Sequence, residues 1–148
     1  MKLVAVEKKI VQGMVRLCGR VQLANGRGEM TPFFEFPGQF APLVTEKADP
    51  FVAALLLPAM ASGEELVVEP SVSGRLWENL PRIQEIFNSW YPDLLKPIQV
   101  HAARFHGAGA AKDGTGAFFS LGVDSFHTLL RHEKDFPGRE RITHLIYM

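Results

Sequence analysis

The sequence predicts an α+β module over residues 1–104, a glycine-rich linker over 105–116 and the start of an α/β domain over 117–148. Alternating apolar and polar residues in the N-terminal part are typical of antiparallel strands. Four glycines stand among residues 107–116, a stretch without a periodic apolar set. After it the pattern changes to strand, turn, helix and strand, which predicts two parallel strands joined by a right-handed crossover.

Composition and charge narrow the classes of protein to which this chain can belong. Hydrophobic residues make up 47% of the 148 positions and charged residues 22%, a balance typical of globular proteins. Sixteen basic residues offset sixteen acidic ones, and a net charge of zero gives no bulk attraction to nucleic acid or to an anionic membrane. The sequence therefore argues against a nucleic-acid partner.

The cysteine content and the apolar segments predict a cytoplasmic protein. Cys18 is the single cysteine, so no intramolecular disulfide can form, and the N-terminus lacks the pattern of a secretory signal peptide. The longest apolar stretch, residues 51–61, is interrupted by Pro58 and is too short to span a bilayer. We therefore expect no membrane partner.

Strands are predicted in the first module from period-two alternation. The predicted strands are residues 3–6 and 14–23, and an apolar face repeats at every other position of the second. That face consists of Val15, Leu17, Gly19, Val21 and Leu23. Asn25 and Gly26 predict a hairpin turn, because both tolerate positive φ, and residues 31–36 would be the returning strand.

The first helix of the module is predicted from its end signals. Asp49 is the expected N-cap, with Pro50 at the first helical position. The helix would run through Met60 and stop at Gly63. Pro58 should shorten or kink it near this end, because proline cannot donate the next backbone hydrogen bond.

A second helix is predicted to begin after Ser73, its expected N-cap. Its apolar positions recur at three- and four-residue spacing: Leu76, Trp77, Leu80, Ile83, Ile86, Phe87 and Trp90. That periodicity favours core positions for both tryptophans over a ligand cage. Pro81 should separate the first turn from the rest. Short strands are predicted on either side of this helix, at residues 64–69 and 97–103.

A six-residue segment near the C-terminal end gives the most direct indication of a ligand. It consists of Ser120, Leu121, Gly122, Val123, Asp124 and Ser125. A short apolar strand precedes it, and a helix is predicted from Ser125 to about His132. Backbone N–H groups at a helix N-terminus lack partners and favour anions. Asp124 suits a divalent cation held between it and a phosphate. A second interpretation stays open, in which Asp124 or Ser125 only caps the helix.

The segment resembles the pyrophosphate-binding loop of the N-type ATP pyrophosphatases, whose motif is SGGxDS. Ser120, Gly122, Asp124 and Ser125 match the motif, Val123 occupies its free position, and Leu121 replaces its first glycine. In that superfamily the loop lies between the first strand and the first helix of a Rossmann-like sheet, the order predicted here. The superfamily includes asparagine synthetases, GMP synthetases, tRNA-thiolating enzymes and cyano-deazaguanine synthases.

The resemblance implies an adenine nucleotide alpha hydrolase-like domain of an ATP-dependent adenylating enzyme. Such an enzyme converts ATP to AMP and pyrophosphate and so activates a substrate oxygen for ligation or amidation. Ser120, Gly122 and Ser125 would then cradle the pyrophosphate, together with the backbone of Leu121 and Val123. Asp124 would help to hold Mg²⁺. The adenine would lie near Tyr147 and Met148. The resemblance identifies neither the small-molecule substrate nor the catalytic residues.

The resemblance also implies a larger domain than residues 117–148 can form, because a parallel sheet needs further strands and helices to cover both its faces. We therefore expect an incomplete ATP pocket and no activity of this chain alone. The exposed edge of the second strand would offer an interface for a homodimer. The alternative is a non-catalytic binding or assembly module with a degenerate nucleotide loop, and Leu121 favours it.

Overall fold

The chain forms two structural units, Met1–Gly107 and Ala108–Met148. In the computed structural model, the described residues are 1–103, 105–107, 114–135 and 141–147. The fold is mixed α+β, with several helices and a mixed sheet. The α+β class predicted from the sequence is therefore confirmed at this level.

The first unit contains eight strands, two α-helices and two short 3-10 helices among its described residues. The strands are Lys2–Val11 (β1), Met14–Gln22 (β2), Glu29–Met30 (β3), Phe33–Pro37 (β4), Leu66–Val68 (β5), Val72–Ser73 (β6), Val100–Ala102 (β7) and Phe105–His106 (β8). The α-helices are Asp49–Ser62 (α1) and Gly74–Trp90 (α2), and the 3-10 helices are Ala24–Gly26 and Gly38–Leu43.

The main sheet has the strand order β3-β2-β1-β5-β7, and β4 also pairs with β2. Strand β2 is antiparallel to β1, β3 and β4. Strand β5 is parallel to β1 and to β7, so the sheet is mixed rather than purely antiparallel. The reason is that α1 precedes β5 and α2 precedes β7, and each helix returns the chain so that the next strand runs in the same direction. Strands β6 and β8 form a separate parallel pair.

The first hairpin turn is at Gln12 and Gly13, where the sequence predicts none. Both residues have positive φ, 50° and 77°, as a two-residue hairpin turn requires. Strand β1 therefore continues well beyond the predicted residues 3–6, to Val11, and this outer part pairs with β2 although residues 7–10 are exposed. The hairpin predicted at Asn25 and Gly26 is wrong in detail: the chain forms a 3-10 turn there before β3 and β4.

Helix α1 ends where the sequence predicts and begins differently. Gly63 has a φ of 66° and donates its N–H to the Met60 carbonyl at 3.3 Å, which confirms the predicted stop. The helix continues through Pro58 because Ala59 and Met60, beyond the proline, are buried in the core. Asp49 does not cap its own helix. Its carboxylate accepts hydrogen bonds from Ser73 instead.

Ser73 joins the first turns of α1 and α2. Its Oγ accepts a hydrogen bond from the N–H of Leu76 at 3.2 Å, which confirms the predicted N-cap of α2. The same hydroxyl donates to Asp49 Oδ1, and the Ser73 N–H donates to Asp49 Oδ2 at 3.2 Å. Helix α2 runs without interruption across Pro81, so the predicted separate first turn is wrong.

The core lies between the sheet and the two helices. Its buried side chains include Leu3, Leu17, Val21, Phe51, Leu55, Leu56, Met60, Leu66, Val68 and Leu80. Phe51 of α1 lies against Gly19 of β2, where a Cβ atom would approach the Phe51 ring to 2.6 Å. Trp77 packs partly against this core. Trp90 is 64% exposed, so the core position predicted for it is wrong.

The described residues of the second unit form strand Gly116–Phe119 (β9), helix Val123–Asp135 (α3) and strand His144–Tyr147 (β10). Strands β9 and β10 are parallel, with Phe119 opposite Tyr147. The predicted order of strand, helix and parallel strand is thus present. Helix α3 is longer at both ends than the predicted segment from Ser125 to about His132. The rings of Phe119 and Phe126 meet edge to face at 4.9 Å and hold the helix on the strand.

The first residues of the segment predicted as a linker form a strand, β8. Strand β8 pairs with β6, with Phe105 opposite Val72. Residues 108–113 lie outside the described part of the chain. Within the described residues, none of the helices combines the length and apolar character needed to cross a membrane.

We expect Gly19→Ala to destabilise the first unit by about 1–3 kcal/mol, because the new methyl group would overlap the buried ring of Phe51. Chemical denaturation followed by far-UV circular dichroism measures the free energy of unfolding. Gly74→Ala is the matched control, since a Cβ there meets no atom within 4 Å. Equal stability of the two variants would contradict the described contact between α1 and β2.

Candidate phosphate-binding site

The segment 120–125 leaves the carboxyl edge of the two-stranded sheet and enters α3. Because β9 and β10 are parallel and Phe119 lies opposite Tyr147, both strands end at this edge. The segment and Tyr147 therefore emerge side by side, as the resemblance implies for the phosphate and adenine sides of one nucleotide site. Tyr147 is exposed, and Met148 lies outside the described residues.

Leu121 has a left-handed backbone conformation, with a φ of 60°. For a residue with a Cβ this conformation costs roughly 1–2 kcal/mol, and glycine adopts it freely. Leu121 stands at the position of the first glycine in the SGGxDS motif. The backbone at this position thus has a φ that glycine adopts without cost, although the side chain is leucine. That side chain is 58% exposed.

At Gly122, by contrast, the residue is glycine but its backbone conformation does not require one. Its φ lies outside the left-handed range, and a Cβ added to it would meet only Ser120 Oγ, at an ordinary contact distance of 3.5 Å. Neither the backbone conformation nor internal packing therefore requires glycine at this position. Close approach of a ligand to the backbone remains as a physical reason for a glycine here.

The start of α3 is organised around the Gly122 carbonyl. This oxygen accepts hydrogen bonds from the N–H of Phe126 at 3.2 Å, the N–H of Ser125 at 3.1 Å and the Ser125 hydroxyl at 2.8 Å. Ser125 thus stabilises the turn, but it donates to a carbonyl rather than accepting from an N–H as an N-cap does. Asp124 is exposed in the first turn of α3, where the helix dipole favours a negative charge.

Several donors at this edge are free to meet an anion. In the described part of the chain, the N–H groups of Leu121 and Gly122 form no hydrogen bond. The N–H groups of Val123 and Asp124 at the start of α3 also have no partner among the described residues, and the Ser120 hydroxyl is exposed beside them. This donor set fits a phosphate group. The Ser125 hydroxyl would have to rotate away from Gly122 before it could donate to a ligand.

A magnesium ion fits this edge only in part. Asp124 offers one exposed carboxylate, and no group of three His, Cys, Asp or Glu side chains converges within the described residues. Mg²⁺ usually binds through one or two carboxylates together with phosphate oxygens and water. Asp124 could therefore hold the ion only together with a bound phosphate, not as a separate protein site.

Many apolar side chains of the second unit are exposed. Phe118, Val123, Phe126, Leu145 and Ile146 all have large solvent-accessible fractions, and Phe119 is the one buried residue among those described in this unit. The sequence pattern shows these residues as apolar but gives no sign that they stay uncovered. The positive φ of Leu121 was also not predicted from the sequence. The only indication of it is that the SGGxDS motif has a glycine where this chain has Leu121.

We expect Leu121→Gly to stabilise the start of α3 by up to about 1 kcal/mol relative to Leu121→Ala. Glycine removes the cost of the left-handed conformation, and its greater freedom in the unfolded chain offsets part of this gain. Hydrogen exchange of the α3 amides, compared between the two variants, measures the difference. Equal or greater protection in the alanine variant would show that the loop does not hold residue 121 at positive φ.

Comparison of the chain with models of protein families, with curated proteins and with solved structures gives no match. Any assignment of function therefore depends on the residues of the loop and on their geometry.

Proposed function

We propose that residues 116–147 provide the pyrophosphate-binding part of an ATP pyrophosphatase-like, Rossmann-like domain in an ATP-dependent adenylating enzyme. One observation carries the proposal: Leu121 has the glycine-like φ at the first glycine position of the motif, between a parallel strand and a helix. The free N–H groups of Leu121 and Gly122 and the N-terminus of α3 supply the charge complementarity that a pyrophosphate needs.

The reaction proposed is transfer of an adenylyl group to a substrate oxygen. That oxygen attacks the α-phosphorus of ATP, a new P–O bond forms, and the bond to the bridging oxygen of the pyrophosphate breaks. A second nucleophile then displaces AMP from the activated substrate. Catalysis of this kind depends on positioning and on stabilising negative charge, so a loop of backbone donors can contribute without a protein nucleophile.

Each loop residue has a distinct role in this proposal. Ser120, Ser125 and the backbone N–H groups donate hydrogen bonds to the leaving pyrophosphate. The Asp124 carboxylate would help to hold Mg²⁺, which would supply positive charge to the phosphates. Tyr147, at the end of β10, would lie on the adenine side. The small-molecule substrate is not specified by these residues.

Gly122→Ala tests the proposal because the fold tolerates the added Cβ. We expect the unsubstituted chain to bind magnesium pyrophosphate and the alanine variant to bind it at least about tenfold more weakly, since the methyl group would occupy the space a phosphate needs. Isothermal titration calorimetry measures both affinities. Gly74→Ala, on the other unit, should bind like the unsubstituted chain. Equal binding by the Gly122 variant, or no binding by the unsubstituted chain, would overturn the proposal.

The second candidate function is a non-catalytic assembly module with a degenerate loop. The exposed Leu121 side chain favours it, and so does β10, whose four residues are all exposed and whose outer edge is unpaired among the described residues. An open strand edge of this kind can pair with a second copy of the chain. If this candidate is correct, the protein is a homodimer. The unsubstituted chain would then not bind magnesium pyrophosphate, and Leu121→Gly would restore that binding.

Leu145→Pro tests the homodimer. The N–H of His144 donates to β9 at Thr115, so alternation along a parallel strand directs the N–H of Leu145 to the outer edge. Proline removes this donor, and we expect it to dissociate a dimer that forms through β10, while Leu145→Ala should leave the dimer intact. Sedimentation equilibrium measures the association. A monomeric unsubstituted chain would contradict this candidate.

A further inference from the structure

A groove in the first unit lies between helix α2 and the chain that enters edge strand β7. Its volume is about 530 Å³, within the range of small-molecule sites. The helix side is lined by Trp77, Glu78, Leu80, Pro81, Gln84 and Glu85, and the other side by Pro97, Ile98, Gln99 and Val100. Most of these side chains are apolar or aromatic.

Gln84 is a buried polar side chain in this groove, with only 6% of its surface exposed. Its Oε1 accepts a hydrogen bond from the backbone N–H of Ile98 at 2.8 Å. That bond fixes which end of the amide is oxygen, because a backbone N–H requires an acceptor. The amide nitrogen forms no hydrogen bond within the described part of the chain. This nitrogen is not one of the fully buried polar atoms that lack a partner, so it reaches solvent and can donate to an acceptor on a molecule in the groove.

Contacts within the protein hold the residues that line the groove in place without a ligand. The ring of Trp77 contacts Phe105 edge to face at 5.2 Å, and the Gln84–Ile98 hydrogen bond ties the helix to the opposite side. Pro81 and Pro97 have restricted backbones. A preformed apolar groove with one fixed donor binds a ligand without a large ordering cost.

The charged side chains that line the groove are both acidic. Glu78 and Glu85 are exposed and stand seven residues apart on α2, which places them on the same side of the helix. Among the described residues that line the groove there is no lysine, arginine or histidine. The two carboxylates in the lining therefore favour a cationic over an anionic group on a ligand.

We propose that this groove binds a small organic cation that has an aromatic or apolar body and a carbonyl acceptor. The body lies against Trp77 and the prolines, the carbonyl accepts a hydrogen bond from the Gln84 amide, and the cationic group faces Glu78 and Glu85. The site is separate in sequence and in structural unit from the loop at residues 120–125. It does not depend on the adenylation proposal.

Three probes of similar shape test the proposal: phenylalanine amide, a cation; N-acetylphenylalanine amide, which is neutral; and 3-phenylpropionate, an anion. Trp90→Phe leaves Trp77 as the single tryptophan, so its fluorescence reports binding in the groove. At low salt we expect phenylalanine amide to bind about fivefold more tightly than 3-phenylpropionate, as exposed carboxylates contribute only modestly.

Two sets of variants separate the contributions of the amide and of the rim. Gln84→Glu keeps an acceptor for the Ile98 N–H and removes the donor, so the neutral probe should lose about tenfold in affinity. Glu78→Gln with Glu85→Gln should abolish the preference for the cation and leave the neutral probe unaffected. Asp93→Asn, at an exposed carboxylate outside the groove, should change neither.

The result expected is a saturable change in Trp77 fluorescence that follows this order of probes and variants. Equal affinity for all three probes, or an unchanged affinity of the neutral probe in Gln84→Glu, would overturn the proposal. It would also be overturned if no probe changed the fluorescence, or if self-association of the chain buried Trp77, since a second copy would then cover the groove.

Discussion

The close contact between Phe51 and Gly19 is the constraint on which the first unit depends. A residue without a side chain on β2 lets the Phe51 ring lie directly on the sheet, where it also meets Phe34 edge to face at 5.3 Å. This contact sets the distance between α1 and the sheet. The position of α1 in turn determines where the Asp49 carboxylate lies. This carboxylate accepts hydrogen bonds from Ser73, the N-cap of α2, and so positions the start of that helix. Because α2 lines the groove that contains Gln84, the position of this groove depends on the same contact.

The candidate phosphate loop has a different basis, because it depends on backbone conformation rather than on packing. The motif that the segment resembles has two adjacent glycines; here Gly122 stands at the second position, and Leu121, at the first, has a positive φ. Leucine pays an energetic cost at that position, and the neighbouring glycine has no internal reason to be one. These two features of the loop are the observations that support the proposed phosphate site.

Local signals in the sequence predicted much of the fold. Gly63 and Ser73 were identified as helix ends because their effects involve only neighbouring residues. The parallel half of the sheet was not predicted in the first unit, since strand direction depends on where each helix returns the chain. Periodicity placed Trp90 in the core, yet it stands at the last residue of α2 and is exposed. The groove was missed for a similar reason: the Gln84–Ile98 contact joins residues on two different elements.

The hydrogen bonds between Asp49 and Ser73 also bear on how the first unit unfolds. The two residues are 24 positions apart, and one carboxylate joins the first turns of both helices. Neither helix can fray at its N-terminus without releasing bonds that hold the other. Because both helix starts depend on the same hydrogen bonds, α1 and α2 should open as a single cooperative unit rather than one after the other.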